Sequence, residues 1–396
     1  MLIASLCGLE ELMRKSYDSI VVGAGAFGAW TAYHLRRSGL RVALLDAYGP
    51  GNSRASSGGE TRVIRMGYGP DELYTEWAAR ALIQWKNLAG SGRQELFHKT
   101  GVLWLSSETD IYAQQTLTAL RQRKIACREL SAAELREQYP QFSFHSVQRG
   151  VLEPDSGVLM AREAVQALAR ELAGDGVDLF RAQVLPVTGA HKLDQVQTSA
   201  GERFSAGSFV FACGAWLPKV FPDVLQGRIR SSRQEVFFLG VPSGEDAFSA
   251  PKAPVWLHHT HPKRPYALPD IANRGLKFAF DRHGPDFDPD AGSRLITDGS
   301  VAELREYLQE NIPRLQHAPI VESRVCQYEN TSNGDFLVDR HPCLENVWLA
   351  GGGSGHGFKH GPVLGEHVRD LVLGKAAVEP RFSLATKQIT AARAVF

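Results

Sequence analysis

The sequence has no excess of charge of either sign and no long apolar stretch. Lysine and arginine together number 44, against 43 aspartate and glutamate residues, and the formal net charge is +1. So even a balance gives no basic surface of the kind that binds nucleic acid or an anionic membrane. No run approaches the roughly 18 apolar residues that a membrane-spanning helix needs. Composition therefore predicts neither a nucleic-acid partner nor a membrane span.

Cysteine is scarce and follows no pattern. The 5 cysteines form no Cys-x-x-Cys pair and no disulfide-framework spacing, which favours a reducing cytoplasm. The first residues lack the basic segment of a secretion signal, so we expect Met1–Leu12 to be a frayed arm or an upstream extension, with Met13 as the natural start. Two polar clusters, at 258–261 and 286–290, lack the spacing of zinc and calcium ligands, and we predict no metal site.

Nucleotide-binding α/β patterns occur at the beginning, middle and end of the chain, with β-rich sequence between them. We predict apolar strands at 17–22, 40–45, 209–212 and 347–350, alternating strands at 234–241, 266–268 and 275–280, and helices at 27–38, 71–88 and 161–173. Ser-x-x-Glu capping boxes at Ser131 and Ser300 predict two further helix starts. The fold class is therefore α/β with two discontinuous domains: a Rossmann-like one over 13–96, 155–233 and 336–385, and a β-rich one over 97–154 and 234–335.

A dinucleotide fingerprint follows the first predicted strand. Gly23-x-Gly25-x-x-Gly28 opens a helix, and its glycines permit a tight turn, a close approach of the backbone to a pyrophosphate, and close helix–strand packing. Asp46 ends the next strand, where a carboxylate accepts hydrogen bonds from a ribose diol. The fingerprint does not distinguish FAD from NAD.

Further segments resemble one flavoenzyme family. They are the loop from Asp46 to Arg65, Phe209–Trp216, Gly275-Leu-Lys277, Arg324-Val-Cys326-Gln-Tyr328 and Gly355-His-Gly-Phe-Lys359. In this order and spacing they resemble the monomeric sarcosine oxidase and N-methyl amino acid oxidase branch of the D-amino-acid-oxidase-like flavoproteins, from about residue 17 to 375. The resemblance implies FAD, a p-hydroxybenzoate-hydroxylase-like fold with a FAD-binding and a substrate domain, and oxidation of an amine to an imine.

The resemblance also implies a set of cofactor contacts. Arg62 would lie against the isoalloxazine ring, where a fixed cation favours the anionic reduced flavin. Cys326 would form a thioether with the flavin 8α-methyl group; the alternative is a small buried side chain. Beyond the fingerprint and Asp46, the implied contacts are Ser56, Ser57, Thr61, Arg62, Val184, Gly214, Cys326, Gly353, Gly355, Gly357 and Lys359.

The implied chemistry falls on a few charged and aromatic residues. Lys277 would serve the reaction with O₂, because an ammonium group stabilises the negative charge that develops on oxygen. Arg65 and Lys359 would hold the substrate carboxylate. Tyr266 and Tyr328 would line the active site. Surface lysines, surface salt bridges and core aromatic packing are the respective alternatives.

Two positions depart from the family pattern. Asp281 stands where the family has an active-site histidine, and we include it among the catalytic candidates. It could bind a cationic group of the substrate or pair with Lys277 or Arg282, and His283 could take the histidine's place. Gly58 replaces a histidine near the flavin. These departures argue against sarcosine as the best substrate.

The sequence therefore predicts an FAD-dependent oxidase of amino acids or N-methyl and other secondary amino acids, which uses O₂ and releases H₂O₂. One alternative is a dehydrogenase of the same fold that reduces a quinone or a carrier protein. A second is a non-catalytic FAD-binding regulatory module. The sequence does not indicate an oligomeric state.

Overall fold

The computed structural model describes residues 16–90, 95–143 and 147–389, so the predicted start at Met13 lies outside the described residues. The strands are β1 Ser16–Val22, β2 Val42–Asp46, β3 Thr61–Ile64, β4 Phe97–His98, β5 Val102–Ser106, β6 Arg128–Ser131, β7 Arg149–Glu153, β8 Gly157–Met160, β9 Asp178–Arg181, β10 Gln195–Gln197, β11 Arg203–Phe211, β12 Ile229–Leu239, β13 Val255–His258, β14 Pro265–Leu268, β15 Leu276–Phe280, β16 Ile320–Thr331, β17 Leu337–Arg340 and β18 Val347–Gly351. The α-helices are α1 Ala26–Arg37, α2 Glu72–Gly90, α3 Ile111–Gln122, α4 Ala132–Gln138, α5 Ala161–Gly174, α6 Leu217–Val220, α7 Pro222–Leu225, α8 Asp298–Asn311 and α9 Gly361–Val372.

The chain forms two compact units, each assembled from separate segments. The first comprises, among the described residues, 16–60, Ala161–Ser232 and 327–389. The second comprises Thr61–Met160 and Arg233–Cys326.

The first unit is built on a seven-stranded, mostly parallel sheet. Its strand order is β17-β18-β11-β1-β2-β9, with β10 paired to β11. The strands β18, β11, β1, β2 and β9 run parallel to their neighbours. Continuous buried apolar runs occur in β1, β2, β18 and the last three residues of β11, as expected where helices cover both faces of a sheet. The carboxyl ends of β1, β11 and β18 therefore lie at one edge, which is where nucleotides bind in folds of this kind.

Helices α1 and α9 pack together in the first unit through glycine. A Cβ atom added at Gly361 would lie 2.9 Å from the Trp30 ring, and one added at Gly365 would lie 2.5 Å from the Trp30 backbone. Only a residue without a side chain permits this approach. The first of the described α-helices is thus held by the last of them.

The second unit is built on an eight-stranded sheet of order β16-β12-β15-β14-β13-β5-β7-β6. Most pairs are antiparallel, whereas β13 and β5 run parallel. Helix α8 and the sheet form one apolar core, which includes Phe237, Phe278, Leu304 and Leu308. Strands β3, β8 and β4 form a separate three-stranded sheet.

The boundaries of the compact units differ from the predicted domain boundaries at 96/97 and 335/336. Residues 61–96 belong to the second unit, because β3 pairs with β8 from Thr61↔Met160 to Ile64↔Gly157. Residues 327–335 belong to the first unit, so the boundary falls within the single strand β16, directly after Cys326. Hydrophobic periodicity does not reveal such boundaries, because β3 is too short to show a period and β16 continues without a break across the boundary.

The predicted helices over 27–38, 71–88 and 161–173 are present as α1, α2 and α5. The capping box at Ser131 and Glu134 is confirmed at the start of α4. The second capping box was wrong: Thr297 caps α8 by accepting a hydrogen bond from the Ser300 N–H, and Ser300 lies inside the helix. Of the helices that the structure describes, none has the length and apolarity to cross a membrane.

Candidate functional site

The glycine fingerprint forms a tight turn between β1 and α1. Gly23 has a φ of +104°, and a Cβ atom there would lie 2.3 Å from the Ala212 carbonyl oxygen. A Cβ atom at Gly28 would lie 1.7 Å from the Gly23 carbonyl oxygen. Gly25 precedes the first residue of α1 and faces Ser57, whose Oγ atom would be 3.3 Å from an added Cβ. The turn thus leaves the N-terminus of α1 open to a phosphate group.

Polar side chains at this edge brace the turn. The Asp46 carboxylate accepts hydrogen bonds from the backbone N–H groups of Ala24 at 2.8 Å, Tyr48 at 2.8 Å and Gly49 at 2.7 Å. The Ser57 hydroxyl accepts one from the Ala26 N–H at 3.0 Å, and the Ser56 hydroxyl donates to the Gln327 carbonyl oxygen at 3.0 Å. A ribose contact at Asp46 stays a prediction.

Two further glycine turns lie at the same sheet edge. Gly214, with a φ of +55°, follows β11, and Gly353, Gly355 and Gly357 follow β18. Val184 forms an isolated bridge with Thr198 in the same unit. Three turns without side chains at the ends of β1, β11 and β18, together with a helix N-terminus, fit the backbone-lined cradle that a dinucleotide cofactor requires.

Lys359 and Tyr328 belong to the first unit. Lys359 is buried, and its ammonium group donates to the His356 carbonyl oxygen at 2.8 Å. Tyr328 is half-buried on β16. Burial and the hydrogen bond to a backbone carbonyl exclude the alternative of a surface salt bridge for Lys359.

The other candidates lie in the second unit, and Lys277, Tyr266 and Cys326 share one face of its eight-stranded sheet. Alternation along β15 sends Leu276, Phe278 and Phe280 into the core beneath α8. The same alternation places Lys277 and Ala279 on the opposite face. Tyr266 and Cys326 pack there against a small cluster formed by Val236, Phe238 and Ala279. The sheet therefore has one face packed beneath α8 and an opposite face that carries Lys277, Tyr266 and Cys326.

Lys277 and Arg62 converge on one backbone carbonyl. Lys277 is 3% exposed, and its ammonium group donates to the Thr61 carbonyl oxygen at 2.5 Å. The Arg62 guanidinium donates to the same oxygen at 2.8 Å and lies 3.5 Å from the Cys326 sulfur. The structure thus brings Thr61, Arg62, Lys277 and Cys326 together, and Lys277 is not the solvent-facing strand lysine that was its alternative.

Arg65 is enclosed by aromatic rings. Its guanidinium carbon lies 4.3 Å from the centre of the Tyr68 ring and 4.7 Å from that of Trp104, and it donates to the Gly67 carbonyl oxygen. Burial lowers the pKa of Arg65, but the net shift is upward because of interactions with Tyr68, Tyr112, Glu153 and Asp281. The side chain is a buried, permanently charged fork, suited to a planar carboxylate.

Glu153 supports the segment that carries Arg65, and no sequence motif pointed to this role. This fully buried carboxylate accepts hydrogen bonds from Met66 N–H at 2.7 Å, Gly67 N–H at 3.1 Å, Trp104 Nε1–H at 2.8 Å and the Ser156 hydroxyl at 2.7 Å. Its partners are distant in sequence, so neither spacing nor periodicity could have identified it.

Asp281 directly follows β15, and its backbone N–H donates to the Arg264 carbonyl oxygen at 2.8 Å. Its charge contributes to the raised pKa of Arg65. Arg282, one of the partners considered for it, forms an ion pair with Glu303 at 2.5 Å. Burial lowers the pKa of His283, which favours a neutral ring.

Gly58 closes a loop in which a side chain has no room. A Cβ atom there would lie 1.7 Å from the Asn52 carbonyl oxygen. The backbone of this loop therefore requires glycine at position 58, and a histidine there would need a different loop conformation. Among the residues that the structure describes, no cluster of histidine, cysteine and carboxylate side chains is suited to a metal ion.

Comparisons with known proteins agree with this architecture. The chain is 29% identical to the monomeric sarcosine oxidase of Arthrobacter sp. (strain TE1826) over 375 residues, covering 92% of this chain and 94% of the relative. It is 28% identical to the N-methyl-L-tryptophan oxidase of Salmonella heidelberg (strain SL476), covering 93% and 97%. Its fold is similar to that of L-proline dehydrogenase from P. horikoshii, with a TM-score of 0.80, 20% identity and coverage of 93% and 97%. The model of the FAD-dependent oxidoreductase family matches residues 18–371, and this chain belongs to that family.

Proposed function

We propose that this FAD-dependent oxidoreductase oxidises an amino acid or an N-methyl or other secondary amino acid to the imine, with O₂ as electron acceptor and H₂O₂ as product. The observation that carries the proposal is the buried ammonium group of Lys277. It lies on the face of the eight-stranded sheet opposite α8 and donates to the Thr61 carbonyl oxygen. FAD, when bound, supplies the two-electron acceptor for the amine.

Lys277 is assigned to the reaction with O₂. Reduction of O₂ by one electron places negative charge on a small molecule, and a fixed ammonium group in a poorly hydrated setting stabilises that charge. Pairing of β15 with β12 and β14 fixes the backbone of Lys277, and the Thr61 carbonyl oxygen accepts a hydrogen bond from its amine. Little reorganisation is then needed when the charge appears.

Arg65 is assigned to the substrate carboxylate. Its guanidinium is buried between two aromatic rings and positioned by a turn that Glu153 fixes. A fork whose orientation is fixed in advance recognises a carboxylate with a small loss of side-chain entropy. Lys359 is assigned to the same group from the resemblance, supported by its burial. Tyr266 and Tyr328 are assigned to the substrate as well.

Cys326 is proposed to carry the flavin as a thioether, and Arg62 to assist. The 8α-methyl group would lose a proton, the thiolate would bond to its carbon, and the flavin would take up the electron pair and pass it to O₂, the proposed acceptor. The guanidinium 3.5 Å from the sulfur can stabilise the negative charge of the thiolate. The same cation is proposed to favour the anionic reduced flavin. The glycine turns of the first unit, with Asp46, Ser56, Ser57 and Val184, are proposed to bind the remainder of the cofactor.

Asp281 sets the choice of substrate in this proposal. A carboxylate close enough to influence Arg65 favours a substrate with a cationic group and disfavours one that carries only a carboxylate. Sarcosine, with a single small amine, gains little from this arrangement. We therefore place the preferred substrate among amino acids that carry a further cationic group. The scattered cysteines support a cytoplasmic location.

An anaerobic screen tests the proposal. Purified protein is mixed with L-, D-, N-methyl and cyclic amino acids, and loss of the visible flavin absorbance is followed. Reduction by at least one amino acid, followed by rapid reoxidation and peroxide formation when air is admitted, is the expected result. Reduction without peroxide would identify a dehydrogenase, and no reduction across the panel would identify a non-catalytic flavoprotein.

A further inference from the structure

Glu329 places a carboxyl group against two of the glycine turns in the first unit. It lies near the end of β16. A Cβ atom added at Gly353 would be 3.3 Å from Oε1, one at Gly351 would be 3.6 Å from Oε2, and one at Gly214 would be 3.8 and 3.9 Å from the two oxygens. Glu329 therefore lies at the carboxyl ends of β11 and β18, at the sheet edge that fits the cofactor.

The two carboxyl oxygens of Glu329 have different surroundings. The backbone N–H groups of Gly352 and Gly353 donate to the carboxyl group. The Oε2 atom is buried and has no hydrogen-bond partner among the described residues. A buried polar atom is rarely left unpaired, because water has been removed from it without replacement. Oε2 is thus an unused hydrogen-bonding group at the cofactor edge.

Burial makes the neutral form of Glu329 accessible near pH 7. It raises the pKa of Glu329 to about 7, although the two glycine N–H groups lower it. Burial, followed by the charges of Asp46 and Glu329, also raises the pKa of Cys213, so this thiol stays neutral beside both carboxyl groups. Of the basic side chains on neighbouring elements, Lys219 and Arg230 are exposed, and the buried Lys359 donates to the His356 carbonyl oxygen.

We propose that Glu329 donates a hydrogen bond from its protonated carboxyl group to an oxygen atom in the ribityl–diphosphate part of FAD, and that cofactor binding is thereby coupled to the uptake of a proton. Oε2 is the donor atom, since the glycine N–H groups occupy the accepting side. The negative charge of a diphosphate at this edge opposes a second anion and favours the protonated form. The inference rests on FAD binding, and the identity of the substrate or electron acceptor does not affect it.

The test is the pH dependence of FAD affinity. Apoprotein carrying Cys326→Ala, which prevents covalent attachment, is titrated with FAD while the flavin fluorescence is followed. If the protonated form binds, linkage predicts that Kd rises about fivefold from pH 7 to pH 8, starting from a free-state pKa of about 7. In the same background Glu329→Gln, which keeps a donor but cannot ionise, is expected to bind tightly with a flat profile.

Two further variants sharpen the result. Glu329→Met, of similar size but unable to donate, is expected to bind FAD more weakly than Glu329→Gln at every pH. Glu345→Gln removes an exposed carboxylate from the same unit and is expected to retain the wild-type profile. The parent here is the Cys326→Ala protein with Glu329 intact. The proposal would be overturned if FAD affinity had the same pH profile in the parent and in Glu329→Gln, or if Glu329→Gln and Glu329→Met bound FAD equally tightly.

A measurement that needs no change at Glu329 guards against misfolded variants. Calorimetric titration of the parent apoprotein with FAD in two buffers of different ionisation enthalpy reports protons taken up, and uptake near pH 7.5 is expected, about half a unit above the free-state pKa. Zero uptake or proton release there would overturn the proposal. Titration with ADP identifies the acceptor: the same pH dependence with ADP indicates a diphosphate oxygen, whereas dependence with FAD alone indicates a ribityl hydroxyl. A defect in turnover would leave all these binding results unchanged.

Discussion

The ammonium group of Lys277 lies 2.5 Å from the carbonyl oxygen of Thr61, the first residue of a short strand that is distant from it in sequence. The strand pairs with β8 at one end of the second unit, and the next residue, Arg62, donates to the same oxygen. One backbone atom thus orders two cations, and the position of β3 determines where both charges lie.

Lys277→Met is expected to slow reoxidation of the reduced enzyme by O₂ by about 100-fold, the typical cost of losing one preorganised charge-stabilising group. Anaerobic reduction by the substrate is expected to change far less. Stopped-flow absorbance measures both half-reactions. Lys263→Met, which removes a half-exposed lysine paired with Glu303, is the matched control. Equal slowing of the two half-reactions would contradict the assignment.

Acid precipitation tests the covalent bond at Cys326. If the thioether forms, the yellow colour stays with the precipitated wild-type protein. The Cys326→Ala variant is expected to release its flavin into the supernatant, because it lacks the sulfur atom that would form the thioether beside Arg62. Cys343→Ala, at an exposed cysteine, serves as the control and is expected to behave like the wild type. Free flavin from the wild type would show that the cofactor is not covalently bound.

Glu153→Gln is expected to lower the free energy of unfolding by about 1–3 kcal/mol, the cost of mismatching a buried hydrogen-bonding group. Four donors converge on this carboxylate, and an amide NH₂ would face at least one of them. Urea unfolding measures the change, with Glu108→Gln at an exposed position as control. A rise in KM for the amino acid is also expected, since the same turn carries Arg65. An unfolding free energy equal to that of the control would contradict this role.

His258 makes stability depend on pH. Burial, reinforced by His261, lowers the pKa of His258 to about 4, so the folded protein keeps this ring neutral while the unfolded chain protonates near pH 6.5. The unfolded state therefore binds more protons between these values, and stability falls as pH falls through that window. From pH 7 to pH 5 the loss attributable to this group is about 2 kcal/mol.

Urea unfolding at the two pH values checks this expectation. His258→Phe is expected to be less stable at pH 7, because the Tyr307 hydroxyl loses its partner, yet to lose less stability on acidification. His317→Asn, at an exposed position, is expected to retain the wild-type dependence. An unchanged pH slope in His258→Phe would show that other groups dominate.

Local patterns were sufficient for the elements of the first unit. The glycine fingerprint, the apolar strands and the helix periods all have short-range signals, and β1, α1 and β2 lie within a few residues of their predicted bounds. The family resemblance then supplied FAD. The N-cap of α8 was predicted at Ser300 and is Thr297 in the structure. The prediction was wrong because a serine and a glutamate three residues apart also occur inside helices.

The unit boundaries and the buried carboxyl groups depend on contacts between residues that are distant in sequence. The stretch 61–96 joins the second unit through a four-residue strand, which has no periodicity of its own. Glu153 and Glu329 are recognisable only from what surrounds them: converging donors for the first, an unpaired buried oxygen for the second. Burial of a carboxyl group is a tertiary property, and a single sequence does not show it.

The placement of β18 between β17 and β11 has a consequence for biosynthesis. The sheet of the first unit contains β1, the first described strand. It also contains β18, an inner strand that exists only after residues 347–351 have been synthesised. During translation, the earlier strands and the Trp30 face of α1 must wait for most of the polypeptide to leave the ribosome. Such delayed, non-local closure exposes apolar surface and aggregation-prone edges. Messages truncated before this point would therefore yield chaperone-bound or degraded products.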